Sequence, residues 1–207
     1  MDAAFYITAF TTLFVIIDPI GLAPLFAALT TGMTAKARRA IAVRACLVAL
    51  AILLLFGLAG EALLGFVGIS LPAFRIAGGA LLFLTALDML FERRQERRGE
   101  QAESRADPSV FPLALPLIAG PGAIATIILL TGQVAGDMAA TAGIFGVMAG
   151  VIALTFLLFL AGGLLERALG RTGINIVTRL LGMLLAALSV QFILTGLAES
   201  GFVTLPG

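Results

Sequence analysis

Val15-Ile16-Ile17-Asp18-Pro19-Ile20-Gly21-Leu22-Ala23-Pro24-Leu25 puts a carboxylate, two prolines and a glycine near the midpoint of an apolar run from Phe5 to Thr31. A proline inside a helix removes a backbone donor and clashes with the preceding turn, at a cost of ~3 kcal/mol. A charge at the centre of a bilayer costs a further ~2.5–3.5 kcal/mol on insertion scales. Such a break persists only where the freed backbone is buried in protein or lines a wet cavity. The run therefore reads as an interrupted membrane span and as half of a binding site. The other half is expected at Leu115-Pro116-Leu117-Ile118-Ala119-Gly120-Pro121-Gly122.

The rest of the chain fits a membrane setting. Its 207 residues are 60% hydrophobic and 12% charged, where a soluble domain has about 25% charged residues. Mean hydropathy is +1.12. The net charge of +1 argues against nucleic acid as a partner. Histidine is absent and Cys46 is the single cysteine, which excludes an intrachain disulfide and any His- or Cys-based metal centre. No cofactor is implied. The start, Met1-Asp2-Ala3-Ala4-Phe5, lacks the basic stretch of a cleavable signal, so the first apolar run is expected to be retained.

Six segments reach the ~20 residues that a helix needs to cross the hydrocarbon. They run from about Phe5 to Thr31, Ala40 to Gly60, Ser70 to Phe91, Ser109 to Gln133, Ala139 to Leu165 and Ile174 to Ala198. The first and fourth carry the breaks. The basic residues sit in alternate loops: Lys36, Arg38, Arg39 and Arg44; Arg93, Arg94, Arg97, Arg98 and Arg105; Arg167 and Arg171. By the positive-inside bias those loops are cytoplasmic, and both termini face the periplasm or exterior.

The two halves repeat. Pro19 and Pro24 in span one match Pro116 and Pro121 in span four, each pair enclosing a glycine, Gly21 or Gly120. Arg75-Ile76-Ala77-Gly78 with Thr85 in span three matches Arg179-Leu180-Leu181-Gly182 with Ser189 in span six. Three spans is an odd number, so the second half enters the membrane in the opposite sense. The fold class expected is an all-α integral membrane protein of six transmembrane helices in two inverted-topology repeats, with helices one and four discontinuous. It is one membrane domain, with a first repeat over 1–91, a charged linker over 92–107 and a second repeat over 108–207.

Asp18-Pro19-Ile20-Gly21, Phe74-Arg75-Ile76-Ala77-Gly78-Gly79, Pro116-Leu117-Ile118-Ala119-Gly120-Pro121-Gly122-Ala123 and Ala186-Ala187-Leu188-Ser189-Val190-Gln191 resemble motifs of the MarC family of inner-membrane proteins, also called the neutral amino acid transporter family. The resemblance covers nearly the whole chain. It implies six spans with inverted repeats in the inner membrane and, for some members, transport of small neutral amino acids such as glycine and alanine. Members often carry asparagine near position 22, where this chain has Leu22; the pocket implied here is more apolar.

Asp18-Pro19 reads as an N-cap followed by proline at the first helical position. A half-helix starting inside the bilayer points its amides and dipole at an anion. Gly120-Pro121-Gly122 offers the same from the opposite side, and glycine lets a ligand approach the backbone. Freed carbonyls suit an ammonium or a cation, so the pair of breaks suits a zwitterion. The substrate-binding candidates are Asp18, Pro19, Gly21, Gly120, Pro121, Gly122, Thr126, Ser189 and Gln191. Asp18 either binds the substrate ammonium, carries a coupling proton or Na⁺, or only caps its half-helix. Thr126, Ser189 and Gln191 either face the cavity or bond a neighbouring helix. Arg75 and Arg179 begin equivalent helices on opposite faces, as gate residues with acidic partners or as interfacial anchors. Asp88 reads as part of an ion pair at a helix end, and Gly146 with Gly150 as a helix-packing pair.

The function expected is secondary transport of a small neutral amino acid across the inner membrane, proton- or sodium-coupled. The partners are that substrate and membrane lipid; the sequence leaves the oligomeric state open. The alternative is a passive channel or a non-transporting regulatory subunit. An intramembrane enzyme is disfavoured by the lack of histidine, of a Gly-x-Ser-x-Gly motif and of a second deep carboxylate.

Overall fold

A computed structural model describes residues 2–91 and 108–201; the linker over 92–107 and its basic residues lie outside the described residues. The described chain is all helical: α1 (Ala3–Ile17), α2 (Pro19–Leu29), α3 (Ala35–Val67), α4 (Leu71–Leu90), a π-helical segment (Ser109–Ile118), α5 (Pro121–Gly132) and α6 (Met138–Glu199). Among the described residues, five stretches are long and apolar enough to span a membrane: Ala3–Leu29, Ala35–Val67, Leu71–Leu90, Met138–Leu165 and Thr172–Glu199. The π segment and α5 make a sixth, bent by 55°.

Helix starts follow the side chains that can satisfy orphan amides. Asp2, Thr34, Ser70 and Asp137 cap α1, α3, α4 and α6 through the amides of Phe5, Ala37, Ala73 and Ala140. Gly68 ends α3 at φ 79°. Two boundaries differ from the sequence expectation. Lys36, Arg38, Arg39 and Arg44 lie in the first turns of α3, not in a loop, because Thr34 starts the helix before them. Spans five and six are joined through Gly170, at φ 64° and ψ 171°, with helix on both sides. Only glycine occupies that region readily.

The spans pack through small residues, as membrane helices do. Along α4 and the Thr172–Glu199 part of α6, Gly196 sits against Pro72 and Ile76, Gly79 against Ser189 and Ile193, and Gly182 against Ala86 and Met89. The order of these pairs makes the two helices antiparallel. A Cβ on Gly79 would stand 2.8 Å from the Ser189 carbonyl, which is backbone and cannot yield cheaply. Gly79→Val is therefore expected to destabilise the protein by about 1–3 kcal/mol, read as a lower midpoint of unfolding in detergent. The Met138–Leu165 part of α6 runs parallel to α1 and α2, with Gly143 on Tyr6 and Gly162 on Ala23. Phe26 and Phe159 stack there, ring centroids 4.5 Å apart.

Candidate functional site

Asp18 is the hinge between α1 and α2. Its amide donates to the Phe14 carbonyl at 2.9 Å, and its own carbonyl accepts from the Leu22 amide at 2.9 Å. The helical ladder is thus intact on both sides and interrupted at one residue. At φ 54° and ψ 61°, Asp18 is left-handed, the only non-glycine residue with positive φ among those described. Aspartate tolerates this better than most side chains because it bonds its own backbone locally. Here Oδ1 accepts from the Gly21 amide at 3.1 Å in a fully buried setting. The carboxylate lies so close over Gly21 that a Cβ there would collide with it. Asp18, Pro19 and Gly21 are therefore one local unit: cap, first helical residue and the gap that receives the cap.

The second break is built differently. Pro108, Pro112 and Pro116 stand four residues apart, so each of the last two lacks the N–H that an α-helix would direct at the proline one turn earlier. The bonding shifts by one residue: the Leu113 amide donates to the Pro108 carbonyl at 3.2 Å, and the Ala119 amide to the Ala114 carbonyl at 2.9 Å. Phe111 and Leu115, each followed by proline, are extended at φ −129° and −134°, as pre-proline residues prefer; both Phe111-Pro112 and Leu115-Pro116 are cis. Gly120 then sets α5 going, with Pro121 at its first position and no side-chain cap. A Cβ on Gly120 would lie 2.5 Å from the Pro116 carbonyl, so only glycine fits.

The two breaks touch. A Cβ on Gly122 would lie 3.3 Å from Ile16 Cγ2, 3.0 Å from Leu82 Cδ2 and 4.0 Å from Thr85 Oγ1. Ile16 is two residues before Asp18. The start of α5 thus abuts the end of α1 and the middle of α4. One turn further, Thr126 is fully buried and its hydroxyl has no hydrogen-bond partner among the described residues.

The remaining candidates lie elsewhere. Ser189 is buried across α4 from α5, on Gly79, and its hydroxyl donates to the Ala186 carbonyl at 2.7 Å. Gln191 is exposed and its Nε2 donates to Thr195 Oγ1 at 3.3 Å. Pro121 is exposed and Gly120 half-buried. Arg75 is buried at the start of α4 and its Nη1 donates to Oε1 of Glu199, the last residue of α6. Arg179 is exposed. Sequence reasoning passed over two residues as site candidates: Thr85, beside Gly122, and Thr178, buried with a hydroxyl that has no partner among the described residues. The sequence pattern of the two halves already paired Thr85 with Ser189.

The ion pair is lopsided: the Arg75 side chain is 4% exposed and that of Glu199 42%. Removing the glutamate strands a buried guanidinium, whereas removing the arginine leaves a carboxylate that water can reach. Glu199→Gln is expected to destabilise the protein more than Arg75→Met does, by about 1–2 kcal/mol after allowing for solvent screening. Chemical unfolding of the two variants and their double mutant measures this.

The MarC family of integral membrane proteins matches residues 3–200. A UPF0056 membrane protein of Archaeoglobus fulgidus is 40% identical, covering 95% of this chain and 93% of the relative. The UPF0056 membrane protein YvbG of Bacillus subtilis is 37% identical, covering 95% and 96%. The UPF0056 inner membrane protein YhgN of Escherichia coli K12 is 36% identical, covering 92% and 95%. No solved structure matches. With a family match over nearly its full length and relatives of this similarity, the chain belongs to the MarC family of integral membrane proteins.

Proposed function

We propose that this protein is a secondary transporter of small neutral amino acids, driven by a proton or sodium gradient, in which two inverted three-span repeats alternate access to a site between broken helices. The observation that carries this reading is the contact between the breaks, Gly122 against Ile16, with buried Asp18 two residues beyond Ile16 and the Thr126 hydroxyl, without a partner among the described residues, one turn beyond Gly122. Interrupted helices at matching positions of two halves are the architecture from which transporters build midplane sites. The chemistry suits a zwitterion. The uncapped start of α5 offers amides to a carboxylate. Pro19 and Pro121 have no N–H, so the carbonyls of Val15 and Leu117, four residues earlier, lack α-helical donors and suit an ammonium. The tight setting of Gly122 and the buried Leu22 favour a small, apolar side chain on the substrate. In this reading α4 and the Thr172–Glu199 part of α6 are the third span of each half, and their antiparallel packing is what two inverted halves require. The Arg75–Glu199 pair ties those spans together at one end, where a gate belongs. No catalytic role is assigned to any residue.

Reconstitution into liposomes with labelled glycine and alanine, under imposed pH and Na⁺ gradients, tests the proposal. Saturable uptake that collapses with one of the gradients is expected. Non-saturating flux would make the protein a pore, and no flux for any neutral amino acid would remove the transport reading.

A further inference from the structure

We propose that the outer face at the start of α3 is a binding site for an anionic phospholipid. Lys36, Arg39, Ala40, Val43, Arg44, Leu47 and Val48 lie together on one open face of the helix there. Lys36 and Arg39 lie toward the start of the helix, Val43, Leu47 and Val48 follow along it, and no carboxylate is among these residues. The neighbouring Arg38 is directed elsewhere, its guanidinium 5.9 Å from the ring centroid of the buried Phe26. Of the cations in these first turns, Arg38 is thus turned to the core, while Lys36 and Arg39 are exposed on this face.

The occupant is identified by two features together. The charge calls for an anion, and Val43 and Leu47 are exposed side chains on the most apolar span, which is largely exposed along its length. A soluble anion uses the first feature and leaves the second unmet. A phospholipid uses both, with its phosphate at Lys36 and Arg39 and an acyl chain along Val43 and Leu47. From Lys36 to Leu47 the helix rises ~16 Å, about the depth of one leaflet's share of a ~30 Å hydrocarbon core. Basic clusters at the end of a membrane helix attract acidic headgroups in this way.

The test uses the full chain in nanodiscs made of phosphatidylcholine with a minor fraction of phosphatidylglycerol, with retained lipid counted by native mass spectrometry. Phosphatidylglycerol is expected to be retained over phosphatidylcholine. Each of Lys36→Gln and Arg39→Gln is expected to weaken that retention roughly 5-fold, with unchanged helicity and unfolding midpoint because both positions are exposed. Leu47→Ser, on the apolar part of this face, is expected to weaken it as well. Equal retention of the two lipids, or retention unaffected by the Lys36 and Arg39 variants, would overturn the proposal. So would competition by inorganic phosphate with no effect of Leu47→Ser, which marks a soluble-anion site. Self-association through this face, seen as a cysteine cross-link at Val43 between two copies, would give it to a second chain instead.

Discussion

Asp18→Asn is expected to abolish accumulation of substrate against a gradient while leaving the protein inserted and folded. Asparagine keeps what the backbone needs at this position. It tolerates the left-handed conformation, at φ 54° here, and its side-chain oxygen still accepts from the Gly21 amide. What it removes is the charge. Asp18→Ala removes more: the cap, worth about 1 kcal/mol, and the local bonding that offsets about 1–2 kcal/mol of left-handed strain. The two variants therefore separate the chemical role of Asp18 from its structural one. If the charge couples transport, the asparagine variant equilibrates substrate but does not concentrate it, and its unfolding midpoint stays near that of the parent. Full gradient-driven uptake by Asp18→Asn would reduce Asp18 to a helix cap.

Gly122→Leu is expected to eliminate substrate binding through bulk. The first added atom already meets Leu82 Cδ2 at 3.0 Å and Ile16 Cγ2 at 3.3 Å. Gly122→Ala asks those two flexible tips to give by a few tenths of an ångström, at a packing cost of about 1 kcal/mol, the low end for one added methyl group, and is expected to weaken binding without abolishing it. Leucine has to displace Leu82 or fill the space between the breaks. The graded pair is measured by equilibrium binding of labelled alanine to purified protein, alongside the unfolding midpoint. Retained affinity in a folded Gly122→Leu variant would place the substrate elsewhere.

Much of this arrangement was legible in the sequence, for a physical reason. In a bilayer an unsatisfied backbone group has no water to turn to, so prolines and an aspartate inside apolar runs are conspicuous. That logic located Asp18-Pro19 and Gly120-Pro121-Gly122 and the spans around them. It did not foresee the π-helical course of Ser109–Ile118, although prolines at 108, 112 and 116 remove one donor per turn along a single stripe. A hydropathy reading also has no access to depth or facing. Ser189 and Gln191 are polar residues in one apolar helix, yet one is buried on Gly79 with its hydroxyl spent on its own backbone and the other is exposed. Thr85 and Ser189 occupy matching places in the sequence pattern of the two halves, ten residues after Arg75 and Arg179, and only packing shows that Thr85 is the one beside Gly122. The partner of Arg75 lies 124 residues away, a distance no local pattern bridges. Gly170 escaped notice because one glycine between two helical turns looks the same in sequence whether the chain bends there or not.

The central claim is that substrate sits where the start of α5 meets the end of α1. Thr126 tests it most directly, because it lies one turn beyond Gly122, its buried hydroxyl has no partner among the described residues, and cysteine is close to it in size. With Cys46 replaced by alanine, Thr126→Cys in proteoliposomes is exposed to a small water-soluble methanethiosulfonate, with and without saturating alanine. The account predicts that the thiol is modified as the site opens and that alanine slows the modification at least tenfold. A thiol that never reacts, or one that reacts at the same rate with alanine present, would contradict it.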